Sequence, residues 1–348
     1  MKKSTTPAGA HDVTVVGIDL AKNVFAVHGI DASGTPCLVR PNVRRDQLLD
    51  LLAQLPPCVI GMEACSGAHH LARILLQFAH TPKLMAPKFV APYRMQGSRG
   101  KNDANDAAAI CEAVTRPNMR FVPVKTVDAQ VTLTVHRVRS GFVEERTATI
   151  NRLRGLMSEF GVVLPLKAST VRRQARLASE VLPTWVQRVV EDLLGHVTIL
   201  DQRIDEYDAQ IKQIAVADEA SKKLMQLDGI GPITATALAA SVGNGHDFKN
   251  GRQLAAWLGL VPGMHGSGGK TRLGRITKAG DHYLRSLLVM GARSLLSLAA
   301  SKGDALSRWA ITLQARVGYR KAVVAIAAKN ARLAWAVLAK GDKFKPIT

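Results

Sequence analysis

Three apolar segments follow one another before the first helical pattern of the chain. They are "VTVVGIDLA" (13–21), "VFAVHGID" (24–31) and "PCLVRPN" (36–42), rich in β-branched residues and punctuated by Gly and Pro. Leucines at helical spacing fill "RRDQLLDLLAQL" (44–55). An apolar strand "CVIGMEA" (58–64), a helix in "SGAHHLARILLQFA" (66–79) and a fifth strand in "PKLMAP" (82–87) come next. A doubly wound sheet alternates strand and helix from its first strand. A meander of three strands calls instead for a mixed sheet of the ribonuclease H type, and residues 1–125 read as one such α/β domain.

Residues 126–223 change period. Val186, Val190, Leu193, Val197, Leu200, Ile204, Tyr207, Ile211 and Ile214 alternate steps of four and three, a heptad seam. A looser stripe runs upstream through Val135, Val138, Phe142, Ile150, Leu153, Met157 and Phe160, and the breaker "GVVLPLKAST" separates the two. The expectation is two long antiparallel helices. They pack within one chain or pair two chains as a coiled coil; spacing leaves both open. Residues 224–348 read as mostly short helices. In "LMQLDGIGPITATALAASVG", Gly229 and Gly231 make a tight turn and Pro232 starts a helix, the pattern of a helix-hairpin-helix. Backbone amides at such a turn can hold a DNA phosphate; an ordinary helix–helix turn has the same pattern.

Charge narrows the partner. Lys and Arg number 47 against 27 acidic residues, a formal net charge of +20. Such a surplus favours a polyanion, because each neutralised phosphate releases counterions. Cys37, Cys58, Cys65 and Cys111 show no zinc spacing and read as reduced and mostly buried. The basic start "MKKSTTPAGAHD" lacks an apolar core, and no uninterrupted apolar run reaches membrane-spanning length, so a cytoplasmic, nucleoid-associated protein without a membrane partner is expected.

Against that basic background the acids stand out. Asp19 ends the first strand in "GIDLAK", and Glu63 ends a later one in "GMEACSG". Asp103 and Asp106 in "GSRGKNDANDAAAICEA" share one face of a helix at i and i+3. Singly, each has a structural use: a cap, a turn, an arginine partner. Together, like charges so close raise one another's pKa or need neutralising. Mg²⁺ takes oxygen ligands and keeps waters for phosphates. Two such ions ~4 Å apart polarise a phosphodiester and activate an attacking oxygen. Asp19, Glu63, Asp103 and Asp106 are therefore the expected Mg²⁺ ligands, and Arg99 and Lys101 the residues that hold nucleic acid beside them. "GIDLAK" also resembles the first phosphate loop of actin-like ATPases, but the helical C-terminal half offers no second phosphate loop.

"GMHGSGGKTRLGR" is not an ATP-binding loop: counting back from Lys270 puts Met264 where the first glycine belongs. It centres on Ser267, flanked by glycines and followed by Lys270, Arg272, Arg275 and Lys278, which can screen a phosphate. A serine hydroxyl needs a base or a metal to become a nucleophile, and His265 is the one close candidate base. From spacing alone Ser267 is a phosphate contact or a flexible-loop residue.

These motifs together resemble the insertion-sequence one-ten family of bacterial and archaeal transposases, including its eleven-eleven subgroup. "VGIDLAKNVFAVHGID", "GMEACSGAHHLAR", "KFVAPYRMQGSRGKNDANDAAAICEA", "LDGIGPITATALAASVG" and "LAAWLGLVPGMHGSGGKTRLGRITKAGDHYLRSLL" carry the resemblance through nearly the whole chain. It implies a RuvC-like domain binding Mg²⁺ through Asp19, Glu63, Asp103 and Asp106, and a transposase domain whose nucleophile is Ser267. It implies excision and insertion of the element through double-stranded DNA, with a structured bridge RNA pairing to donor and target. It further implies dimers assembling into a tetramer, domains from different chains meeting at each cut. In "TKAGDHYLR", Asp281 stands where the family pattern has asparagine, which leaves Lys278 and Arg285 as phosphate contacts. Two alternatives stay open: a metal-dependent, structure-specific endonuclease similar to Holliday-junction resolvases, with Ser267 only touching phosphate, and a non-catalytic nucleic-acid-binding protein.

Overall fold

A computed structural model describes residues 12–94, 103–267 and 270–341, the side chains of Ala168, Ser267 and Thr271 excepted. The chain divides into two compact units, Met1–Lys125 and Thr126–Thr348.

The first unit is built on a six-stranded mixed sheet. Its strands are β1 (Val15–Asp19), β2 (Val24–Ile30), β3 (Pro36–Arg44), β4 (Val59–Glu63), β5 (Thr81–Met85) and β6 (Phe121–Val122), in the spatial order β3-β2-β1-β4-β5-β6. β1, β2 and β3 pair antiparallel, β4 and β5 run parallel to β1, and β6 closes the edge antiparallel to β5. Helices α1 (Arg45–Ala53) and α2 (Ala68–Gln77) make the crossovers that parallel pairing requires. The short α3 (Pro87–Val90) and a 3-10 turn, Ala91–Tyr93, come before α4 (Asp103–Val114). The central strands are apolar on both faces because both faces are covered: Val16, Ile18, Ile60, Met62 and Leu84 have no exposed surface. α4 packs on β1, β2 and β4. It comes so near that a Cβ at Gly61 would stand 2.9 Å from Val114 Cβ. The mixed sheet expected from the opening meander is the one observed. All four cysteines are free, Cys58 and Cys111 buried, Cys37 partly so and Cys65 exposed. Burial pushes the Cys58 thiol up to about 11 and that of Cys111 to about 12.

The second unit starts with α5 (Val127–Glu159), whose first turn is capped by Thr126. α6 (Ala168–Ser179) and α7 (Thr184–Ala217) follow. α5 and α7 run antiparallel, stitched by Arg139 to Asp208, Arg146 to Asp201 at 2.8 Å and Glu145 to His196 at 2.9 Å. Val190, Val197, Leu200, Ile204 and Ile211 of the seam are buried, and Val190 and Val197 share a core with Ile150, Leu153 and Met157 of α5. The seam is thus satisfied inside one chain. Two details differ from the sequence reading. Val138 and Phe160 of the upstream stripe are exposed, and α6 occupies part of the expected break. In α6 Val171 and Ala175 are buried on the inner face while Arg176 reaches Glu191.

The remaining elements are α8 (Glu219–Leu224), α9 (Pro232–Val242), α10 (Gly251–Trp257), β7 (Pro262–Ser267), β8 (Lys270–Ile276), α11 (His282–Leu298), α12 (Ala305–Val317) and α13 (Tyr319–Lys340). α5 and α7 both pack on α9, within this unit. Asp218, Asn250, Asp281 and Asp304 each accept a hydrogen bond from the backbone N–H three residues on, capping α8, α10, α11 and α12. α11 and α13 are not short; α13, and α11 continued by the 3-10 turn Ala299–Ser301, are each long and apolar enough to span a membrane by length and composition alone. Here Leu288 and Ala292 of α11 and Ile326, Ala327 and Ala331 of α13 lie in the core of the unit. The glycine-rich stretch, expected as a loop, forms an antiparallel hairpin from β7 and β8.

Candidate active site

Two neighbouring parallel strands end side by side. Ile18 pairs with Met62, so Asp19 and Glu63, one residue further on, leave β1 and β4 at the same edge of the sheet, where open sheets place functional groups. α4 starts over that edge with Asp103 and Asp106 in its first turn. Ligand oxygens of Asp19, Asp103 and Asp106 lie within 4.8 Å of one another. Asp106 is buried and Asp103 exposed, so the cluster opens to solvent on one side.

Glu63, the fourth acid, is engaged by a residue the sequence reading passed over. Arg94 follows the 3-10 turn and donates from Nη2 to Glu63 Oε1 at 2.8 Å. Its Nε lies 3.1 Å from Asp106 Oδ1, an ion pair without hydrogen-bond alignment. One guanidinium does not offset four carboxyls. The Asp19 carboxyl is pushed up to about 6, first by burial, then by Asp106, Asp103 and Glu63, with Arg94 pulling the other way. Arg94 sits in "KFVAPYR", between β5 and the paired aspartates, while its hydrogen-bonded partner Glu63 lies 31 positions back in the chain.

In the second unit, Ser267 ends β7 and its backbone pairs with Lys270; His265 pairs with Arg272. By strand alternation positions 265, 270 and 272 fall on one face of the ribbon. His265, Lys270, Arg272, Arg275 and Lys278 are exposed. Arg285 is not a surface phosphate contact: it is buried, and its Nη1 donates to the carbonyls of Leu258 at 3.0 Å and Ala279 at 3.3 Å. A charged residue one turn into an amphipathic helix looks solvent-facing in sequence; here one backbone carbonyl at the end of α10 and one just before α11 take its donors. Asp281 caps α11 through a 3.0 Å bond from the Leu284 N–H, a role its carboxylate and an asparagine amide oxygen fill alike. Gly229 is tied to its turn twice. It has a left-handed φ of 82°, and a Cβ there would stand 2.6 Å from the Gly291 carbonyl oxygen of α11. Gly231 caps α9, with open space around it. With Thr234, Met290 and Ser294 these glycines line an open depression of about 480 Å³. Arg99 and Lys101 lie outside the described residues.

Comparison with known proteins places these features. Residues 16–161 match a transposase family model of the IS110 type named for its DEDD acids, and residues 221–308 match the model described as "Transposase IS116/IS110/IS902 family". The chain is 44% identical to a probable family 20 transposase of Pseudomonas aeruginosa, over 95% of this chain and 98% of that protein. It is 38% identical to the transposase for insertion sequence element IS1328 of Yersinia enterocolitica, over 96% and 99%. The figure for the transposase of IS1111A of Coxiella burnetii is also 38%, over 96% and 92%. The chain belongs to the IS110/IS116/IS902 family of transposases. The transposase is therefore an enzyme of DNA recombination, and its DEDD domain implies dependence on a divalent metal. The donors present fit one: Asp19, Asp103 and Asp106 offer hard oxygen atoms at shared reach, and the neighbouring acids add to burial in raising the Asp19 carboxyl.

Proposed function

We propose that this transposase excises and inserts an insertion sequence by cutting and rejoining DNA strands, with Asp19, Glu63, Asp103 and Asp106 as a Mg²⁺-binding acidic site and Ser267 as nucleophile. The convergence of Asp19, Asp103 and Asp106 from two separate elements supports it most directly. Mg²⁺ held there supplies Lewis-acid polarisation of a phosphodiester. The Ser267 oxygen attacks phosphorus and its proton goes to a base, for which His265 is the nearest candidate in sequence. The deoxyribose oxygen leaves and takes up a proton. The phosphoserine ester keeps the bond energy, and a strand hydroxyl attacking it rejoins DNA without ATP.

The rest of the molecule supports grip rather than base reading. Lys270, Arg272, Arg275 and Lys278 project from or follow the exposed hairpin that bears the serine. In this reading Arg99 and Lys101 add to the cationic rim beside the acids. The α8–α9 turn is a helix-hairpin-helix whose amides at Gly229 and Gly231 hold a phosphate. A structured bridge RNA, paired to donor and target, takes over sequence choice, so the protein needs backbone and shape contacts only. An aromatic content of 5% suits that division. Dimers assembling into a tetramer bring the acidic site and the serine of different chains to one linkage.

Denaturing gels test the chemistry. Wild-type protein with Mg²⁺ is expected to leave a protein–DNA adduct that is absent in Ser267→Ala and in Asp19→Asn. Free hydrolysed ends made at full rate by Ser267→Ala would instead identify a resolvase-like endonuclease. A non-coding segment beside the gene, complementary to the element's junction and its insertion site, is the expected mark of the RNA.

A further inference from the structure

We propose that Arg94 is an internal counter-ion: it holds the acidic cluster together in the metal-free protein and gives up its carboxylates to the divalent cation. The inference rests on the reading that these acids hold such a cation. Arg94 bridges two elements, Glu63 at the end of β4 through Nη2 at 2.8 Å and Asp106 on α4 through Nε at 3.1 Å. A single side chain thus ties the sheet edge to the helix that carries Asp103 and Asp106. Without it, among the described residues no cation pairs with Glu63 or Asp106, a costly arrangement for clustered carboxylates in a half-buried site.

The two contacts are unequal. The Glu63 contact is a hydrogen-bonded ion pair. The Asp106 contact is coulombic only, because Nε is buried and makes no aligned hydrogen bond. Asp106 also belongs to the trio whose oxygens converge within 4.8 Å, so it is the carboxylate a divalent cation competes for first. A divalent ion brings twice the charge of a guanidinium to oxygens of the same kind. The Arg94 side chain is 38% exposed, which leaves room for it to swing away. Its backbone stays anchored, with Val90 fully buried and Tyr93 stacked under Arg116 at 5.6 Å. Arg94 is therefore a positioning residue for the metal ligands.

The test is metal affinity, measured on full-length protein stripped by chelator and titrated with Mn²⁺ by calorimetry. Arg94→Gln removes the competing charge and is expected to bind Mn²⁺ about tenfold tighter. Its metal-free melting temperature falls by several degrees and recovers when Mn²⁺ saturates. Unchanged or weaker Mn²⁺ binding in Arg94→Gln overturns the proposal. A readout on the wild type is independent of that variant's folding. The Arg94 Nε–H resonance, assigned by its loss in Arg94→Lys, shifts on Mg²⁺ titration with the midpoint of the calorimetric site; a resonance that ignores metal overturns the exchange. Mn²⁺ binding that is absent from the wild type, or unaffected by Asp19→Asn, overturns the underlying metal reading instead.

Discussion

The backbone of Gly17 in β1 lies directly against that of Ala107 in α4: a Cβ at Gly17 would stand 2.3 Å from the Ala107 carbonyl oxygen and 2.4 Å from the Cys111 nitrogen. This approach sets how far Asp103 and Asp106 hang over the strand end that carries Asp19. Its cause is a missing side chain.

Gly17→Ala is therefore expected to lift α4 from the sheet, costing ~2 kcal/mol or more through overpacking against backbone that cannot yield. The displacement also separates the carboxylates. Urea melts and Mn²⁺ calorimetry should show reduced stability and weakened metal binding together; a variant that binds Mn²⁺ normally would mean that the approach does not set the site.

Asp19 trades stability for function. Its folded-state carboxyl is raised from 3.8 to about 6, so between those values the folded protein holds a proton that the unfolded chain has released. The associated stability is present below about pH 4 and lost as pH rises through about 6. In chelator at pH 7.5, Asp19→Asn should melt higher than the wild type, and that advantage should shrink by pH 5. The same variant should lose the Mn²⁺ site. A lower melting temperature for Asp19→Asn at pH 7.5 would contradict the burial and repulsion that raise the Asp19 carboxyl.

Arg285 and the hairpin cations should separate cleanly. Arg285→Ala leaves the carbonyls of Leu258 and Ala279 without their donor and is expected to cost ~1–3 kcal/mol of stability. Lys270→Ala, Arg272→Ala and Arg275→Ala should leave thermal melting unchanged. Each should instead weaken DNA binding and reduce the slope of log K against log salt by about one. Filter binding across a salt series, paired with melting curves, reads both effects.

His136 makes the second unit acid-sensitive. It is buried between α5, α9 and α11, with Nδ1 2.9 Å from the Tyr283 hydroxyl and Nε2 2.9 Å from Thr236 Oγ1. The Thr236 hydroxyl donates to the Pro232 carbonyl, so it accepts from Nε2–H, and Tyr283 donates to a bare Nδ1. Protonation would set two donors face to face. Burial first, then Arg139, lowers the imidazole from 6.5 to about 4. The unfolded chain therefore takes up the proton first as pH falls, and stability present above pH 6.5 is lost on the way down to about 4. A loss of ~2–3 kcal/mol is expected over that range. Urea midpoints at pH 7.5 and 4.5 should show this drop in the wild type and a smaller one in His136→Gln.

Legibility followed burial. β1, β2 and β4 were readable because strands buried along most of their length appear as continuous apolar runs, whereas β3, exposed at most positions, was marked by the Gly and Pro around it. The α7 seam was readable because its buried positions, from Val190 to Ile211, keep a strict period. β7 and β8 were not, since Met264 and Leu273 are 71% and 69% exposed and nothing buried imposes an alternation. Arg94 and Arg285 escaped for a related reason. An arginine's partners lie across the fold, Glu63 being 31 positions away and Leu258 27, so no local pattern separates a solvated guanidinium from an inward one.

The order of residues alone determined the strand and helix types of the first unit, the acids that can meet, and the surplus of positive charge, because these depend on short-range periodicity and on counting. Only the tertiary structure decided that α4 lies close enough to β1 for Asp19, Asp103 and Asp106 to converge, and that Arg94 supplies their counter-charge. It also drew Arg285 inward and paired the Ser267 strand with a basic one. Such outcomes depend on which surfaces pack, and packing is settled between segments far apart in the chain.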